Sequence, residues 1–147
     1  MTIRVLVADD QAMIRGALAG LLDLERDIKV VAQAADGAQA LEELARVASA
    51  DDPARRGTPV DVAIIDIEMP RMDGITATQA IRSRFPGVRV LIVTTFGRPG
   101  YLQRALDAGA MGFMVKDAPV EALADGGRTV AAGGRAIDQS LALEALS

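Results

Sequence analysis

Apolar residues along the chain follow two alternating rhythms. Five short runs rich in β-branched residues read as strands: "IRVLVA" (3–8), "IKVVAQA" (28–34), "VDVAIIDI" (60–67), "VRVLIVTTF" (88–96) and "GFMVK" (112–116). Five other stretches repeat apolar residues every three or four positions, as on one face of a helix: "QAMIRGALAGLLDL" (11–24), "GAQALEELARVA" (37–48), "ITATQAIRSRF" (75–85), "YLQRALDAG" (101–109) and "VEALADGGRTVAAG" (120–133). In the first of these, Ile14, Leu18, Leu21 and Leu22 form the expected core stripe. Strand and helix alternate strictly and the strands are almost continuously apolar. That combination predicts a parallel sheet covered by helices on both faces.

Punctuation supports the division. Asp36-Gly37 precedes the second helix, Pro86-Gly87 ends the third, Pro99 sits near the start of the fourth and Gly109 closes it. The stretch "ASADDPARRGTP" (48–59) is polar and broken by two prolines, so an exposed loop is expected between the second helix and the third strand. Gly126-Gly127 falls inside the last helix at about 1 kcal/mol each relative to alanine, which predicts a soft or kinked segment. Beyond Gly133-Gly134, Asp138 is expected to cap a short helix carrying Leu141, Leu143 and Leu146. Residues 1–133 therefore read as one domain and 134–147 as a connector toward a further unit.

Composition narrows the chemistry. A chain of 147 residues suits one domain that buries roughly 70% of its unfolded surface. No cysteine and no histidine means no disulfide, no zinc-thiolate site, no thiol nucleophile and no imidazole base, leaving oxygen ligands and amines to act. A net charge of -4 argues against this segment gripping nucleic acid electrostatically. The strand rhythm starts by Ile3 and no apolar run approaches the ~18 residues of a membrane span, so a cytoplasmic protein without a membrane role is expected.

The informative polar residues fall at strand ends. In an open parallel sheet, ligands bind beyond the carboxyl ends of the strands, near the point where strand order reverses. Here the first strand ends in Asp9-Asp10, the third in Asp66, the fourth in Thr94-Thr95 and the fifth in Lys116-Asp117. Each has a plainer reading: Asp9 or Asp10 as a helix cap, Thr94 as an ordinary strand residue, Lys116 as a solvated amine. Together they form a set suited to phosphate. Crowded carboxylates repel one another unless a hard cation such as Mg²⁺ joins them, and one left free can attack phosphorus to give an aspartyl phosphate. The Lys116 ammonium and the Thr94 hydroxyl would then hold separate phosphoryl oxygens. Asp66 is the natural nucleophile, because the sheet fixes its backbone while Met69-Pro70 and Asp73-Gly74 turn the chain away.

The segments "VLVADDQ", "IIDIEMPRMDG", "LIVTTF" and "GFMVKD" resemble a response-regulator receiver domain of the flavodoxin-like (βα)5 fold, over residues 3 to 133. The resemblance implies a five-stranded parallel sheet in the order 2-1-3-4-5, with Asp66 as phosphoacceptor and Asp9 and Asp10 as the acidic pair for Mg²⁺. It implies a backbone-carbonyl ligand at Glu68, a phosphate-sensing pair in Thr94 and Lys116, and a switch aromatic at Phe113. Phe113 alone would read as core. The segments "DDQAMIRGAL", "TTFGRPGYLQRALDAGAMGFMVKD" and "VAAGGRAID" resemble the NarL/FixJ branch, whose receivers are joined to a LuxR-type helix-turn-helix DNA-binding domain that these 147 residues do not contain. The 48–59 loop is longer than that pattern implies, though it falls on the rim opposite the site.

By this resemblance a partner histidine kinase phosphorylates Asp66, Thr94 is drawn to the phosphate, Phe113 moves into the vacated space, and the face around the fourth helix, fifth strand and fifth helix carries the output. Homodimerisation would follow, and the protein would be a phosphoacceptor rather than a turnover enzyme. Three other readings compete. An aspartate-nucleophile phosphatase shares Mg²⁺, Asp, Thr and Lys but carries Asp-x-Asp after its first strand, where this chain has Asp66-Ile67-Glu68 after its third. A flavin-binding module would need a Ser/Thr/Gly-rich loop after Ala8, and none follows. A pseudo-receiver that never carries phosphate would not need the complete set of polar residues.

Overall fold

The computed structural model describes residues 2–48, 60–95, 100–138 and Leu141. Its elements run β1 (Ile3–Ala8), α1 (Ala12–Asp23), β2 (Ile28–Ala34), α2 (Gly37–Ala48), β3 (Val62–Asp66), α3 (Gly74–Arg84), β4 (Arg89–Thr94), α4 (Tyr101–Ala108), β5 (Gly112–Val115), α5 (Val120–Ala131) and β6 (Ala136–Ile137). All strands are parallel in one sheet ordered β2-β1-β3-β4-β5-β6. This is the flavodoxin-like α/β fold, with the expected order over its first five strands. Strand order reverses at β1, with β2 added on one side and β3 on the other, which places a crevice beyond the carboxyl ends of β1 and β3.

Successive strand residues point to opposite faces, and the core divides accordingly. Leu6, Ala8, Ala63, Ile65, Val90 and Ile92 pack on the side of α2, α3 and α4. Val5, Val7, Val62, Ile64, Leu91 and Val93 pack on the side of α1 and α5. Each fully buried Val, Leu or Ile contributes about 1.5–3 kcal/mol, so these two layers drive the fold. Along α1 the expected stripe splits. Leu18 and Leu22 are buried, whereas Ile14 and Leu21 are 41% and 47% exposed. Leu21 precedes Leu22 by about 100° around the helix, which turns it away from the sheet.

A sixth strand was not expected. Gly133, at φ 91, reverses the chain after α5, and the Gly134 N–H bonds to the Thr129 carbonyl at 2.9 Å. Ala136 and Ile137 then pair with Gly112 and Phe113, and the Asp138 N–H bonds to the Phe113 carbonyl at 2.9 Å. The residues just after Gly133 thus belong to the sheet, and two residues are too few to show a strand rhythm. Leu141 is buried in the core, while Leu143 and Leu146, the loop at 49–59 and Pro99 lie outside the described residues.

Helix α5 runs unbroken through Gly126 and Gly127. A Cβ on Gly126 would come within 2.5 Å of Met114 Sδ, so packing against β5 accounts for that glycine. Arg128 ties this helix to the α1–β2 loop by a two-pronged pair with Asp27, at 2.8 Å for both nitrogens, and a 2.9 Å contact to Glu25.

Candidate functional site

The site is assembled by backbone, strand by strand. β1 delivers Asp9, whose N–H bonds to the Ala34 carbonyl at 3.0 Å and whose own carbonyl accepts from Arg15 Nη1 at 2.8 Å. Its Oδ1 accepts the Gln11 N–H at 2.9 Å, closing the turn into α1 and leaving Asp10 exposed at the rim. β3 is buried along its whole length and ends in Asp66, only 6% exposed. β4 ends in Thr94, whose carbonyl accepts the Lys116 N–H at 2.7 Å, so the hydroxyl-bearing and ammonium-bearing residues are clamped together by the main chain.

Behind Asp66, Gly74 is indispensable. Its N–H bonds to the Ile67 carbonyl at 2.8 Å, and a Cβ there would lie 2.3 Å from the Asp66 carbonyl oxygen. Only glycine lets α3 begin directly against the backbone of Asp66. Asp73 caps that helix through the Thr76 N–H at 2.7 Å. On the other side of the loop, Arg71 adopts φ 63, the one non-glycine residue with positive φ among those described, and its guanidinium grips the buried Asp36 carboxylate. The Gln39 N–H, against the opposing effect of burial, and then Arg71 hold Asp36 below its ordinary pKa.

At the centre, Lys116 Nζ lies 3.0 Å from Asp66 Oδ2 and 2.6 Å from Asp9 Oδ2, with its side chain 8% exposed. The contact to Asp66 is a hydrogen bond. The contact to Asp9 is close but badly directed, so Asp9 Oδ2 is a buried acceptor without a hydrogen bond. Oxygens of Asp9, Asp10 and Asp66 all lie within 4.8 Å of one another. Burial raises the Asp66 pKa, and the Asp9 and Asp10 charges add to the rise against the pull of Lys116. Burial alone would lower the Lys116 pKa, but the two negative carboxylates held against it outweigh that and raise it, so the amine stays charged. Three acidic oxygens in one place with an unsatisfied buried acceptor suit a hard divalent cation.

These groups open into a cavity of about 750 Å³ lined by Asp10, Asp66, Glu68, Thr94 and Lys116. Six of the seven residues expected at the site are thereby brought together, Asp9 through the acidic cluster. Phe113 is not among them: it is fully buried in the core, opposite Ile92 in the register of β4 and β5. Tyr101 and Arg104 of α4 also line the cavity, which the sequence did not signal because neither sits at a strand end.

The model of the response regulator receiver domain matches residues 5–126. This chain belongs to that family. As a receiver it is 40% identical over 139 residues to the uncharacterized transcriptional regulatory protein YvfU of Bacillus subtilis, covering 95% of this chain and 64% of that protein. It is 41% identical over 133 residues to the transcriptional regulatory protein DesR of the same organism, covering 90% of this chain and 60% of DesR. A crystal structure of a LuxR-family two-component response regulator from an Aurantimonas species superposes with a TM-score of 0.84 at 28% identity, covering 99% of this chain and 96% of that one. The receiver thus spans less than two thirds of the curated relatives named here. Among the described residues, no helix is long and apolar enough to cross a membrane.

Proposed function

We propose that this receiver accepts a phosphoryl group on Asp66 from the phosphohistidine of a sensor kinase. An Asp66 carboxylate oxygen forms the new P–O bond while the P–N bond breaks, its electron pair staying on the imidazole nitrogen of the partner. The observation that carries this reading is the placement of a buried strand-end carboxylate 3.0 Å from a buried ammonium, within an acidic triad that opens on a cavity. Asp9, Asp10 and Asp66, with the Glu68 carbonyl, would hold Mg²⁺, which supplies positive charge to the transferring group. Lys116 and the Thr94 hydroxyl take the remaining oxygens. The product stays on the protein, so the receiver is a phosphoacceptor and not a turnover enzyme.

The new charge would draw Thr94 inward. Because Phe113 is already buried, its response is a repacking within the core beside α4 and β5 rather than a swing in from solvent. We read the output as pairing of two copies and, in a longer cytoplasmic protein, control of a C-terminal helix-turn-helix domain that binds DNA. Borohydride reduction of the phosphorylated receiver tests the chemistry, since an acyl phosphate at Asp66 is converted to homoserine at position 66. Conversion at another aspartate, or at none in a sample carrying phosphate, would overturn the assignment.

A further inference from the structure

Among the described residues lining the cavity, Asp10, Asp66, Glu68 and Asp73 are acidic and only Lys116 and Arg104 are basic. Lys116 is committed to Asp66 and Asp9 and nearly sealed from solvent. Arg104 is different. It is exposed, has no ion-pair partner among the described residues, and its guanidinium carbon stands 5.6 Å from the centre of the Tyr101 ring. Tyr101 is itself packed against the core, so the ring is a fixed platform one helical turn before Arg104. A cation held over an aromatic face keeps its outer N–H groups free for an anion.

A phosphodonor brings a doubly negative group to this acidic rim. Building on the phosphoacceptor reading above, we propose that Arg104 is the donor-binding residue of the receiver: it meets the phosphoryl oxygens as the donor enters and selects for donors of high negative charge. Its planar fork can contact two oxygens at once, which an ammonium cannot. Arg104 acts on capture of the donor and leaves the lifetime of the aspartyl phosphate to Lys116 and Thr94.

Two small donors separate charge from shape. With acetyl phosphate, a dianion at neutral pH, the P–O bond to acetate breaks and acetate leaves with the electron pair. With phosphoramidate, a singly charged zwitterion, the P–N bond breaks and ammonia leaves with the protons already on nitrogen. Second-order rates of phosphorylation would be measured by intact mass for the parent, Arg104→Gln and Arg104→Lys, all with Mg²⁺ and with equal melting temperatures as a control. The expected result is a loss of roughly five- to tenfold for Arg104→Gln with acetyl phosphate, a smaller loss with phosphoramidate, and an intermediate rate for Arg104→Lys. Hydrolysis of the phosphorylated form should change by less than about twofold. Equal rates for Arg104→Gln and the parent, or an equal loss with both donors, would overturn the inference while leaving Asp66 as acceptor. A parent that takes up no phosphoryl group would overturn both.

Discussion

Replacing Gly74 with alanine places a methyl group 2.3 Å from the Asp66 carbonyl oxygen and 3.0 Å from both the Asp66 carbonyl carbon and Ile67 Cα. A Cβ does not approach a neighbour this closely, and the neighbours are backbone atoms of a buried strand end, so no flexible side chain can move aside. Overpacking of this kind costs about 1–3 kcal/mol, and the rigidity of the neighbour puts it at the upper end. Alanine recovers at most ~1 kcal/mol in helix propensity at the start of α3. The net loss is ~2 kcal/mol, which in a domain of this size lowers Tm by about 4–8 °C. The strand end must shift by the better part of an ångström, carrying the Asp66 carboxylate away from Lys116, and a misplacement of that order reduces a positioned reaction by about 10²-fold. Thermal melting and the rate of phosphorylation from acetyl phosphate would be compared for Gly74→Ala and the parent. An alanine variant that melts within about 1 °C of the parent and reacts within about twofold of it would refute the argument.

Three further outcomes follow from the same contacts. Because burial and the neighbouring carboxylates raise the folded pKa of Asp66 above its value of 3.8 in an ordinary setting, its stabilising contribution is present below that value and is lost as pH rises through the folded pKa. Asp66→Asn should therefore melt a few degrees higher than the parent at neutral pH without metal, the gap closing toward pH 4; an equal or lower melting point at neutral pH would contradict this. Gly127→Ala, where a Cβ meets nothing within 4 Å, should add about 0.5–1 kcal/mol by chemical denaturation, whereas Gly126→Ala should gain nothing because of Met114. Arg71→Gly and Arg71→Ala both lose the Asp36 pair, but glycine accepts the left-handed φ, so it should be about 1 kcal/mol more stable than alanine; equal denaturation midpoints would sink that reading.

What could be read from the sequence was local or periodic. The five main strands and five helices announced themselves by their rhythms, and Asp9, Asp10, Asp66, Thr94 and Lys116 by standing where apolar runs stop. What escaped depends on tertiary contact. Gly74 looked like a turn residue, yet its necessity comes from the Asp66 backbone lying against it. Leu21 fits the apolar period of α1 but falls outside the arc that the sheet covers. β6 is two residues long, and its pairing is set by how Gly133 and Gly134 return the chain to β5. Arg71 and Asp36 are 35 positions apart, so no local pattern pairs them. Arg104 is one of several charged residues on a helix, and only the direction of α4 brings it to the cavity.

Intact mass after incubation with acetyl phosphate and Mg²⁺, alongside Asp66→Asn and a chelator-treated sample, decides whether Asp66 is a metal-dependent phosphoacceptor. One phosphoryl group should add to the parent with Mg²⁺, and none to either control. Uptake by Asp66→Asn at the parent's rate, or no uptake by a well-folded parent, would contradict that role.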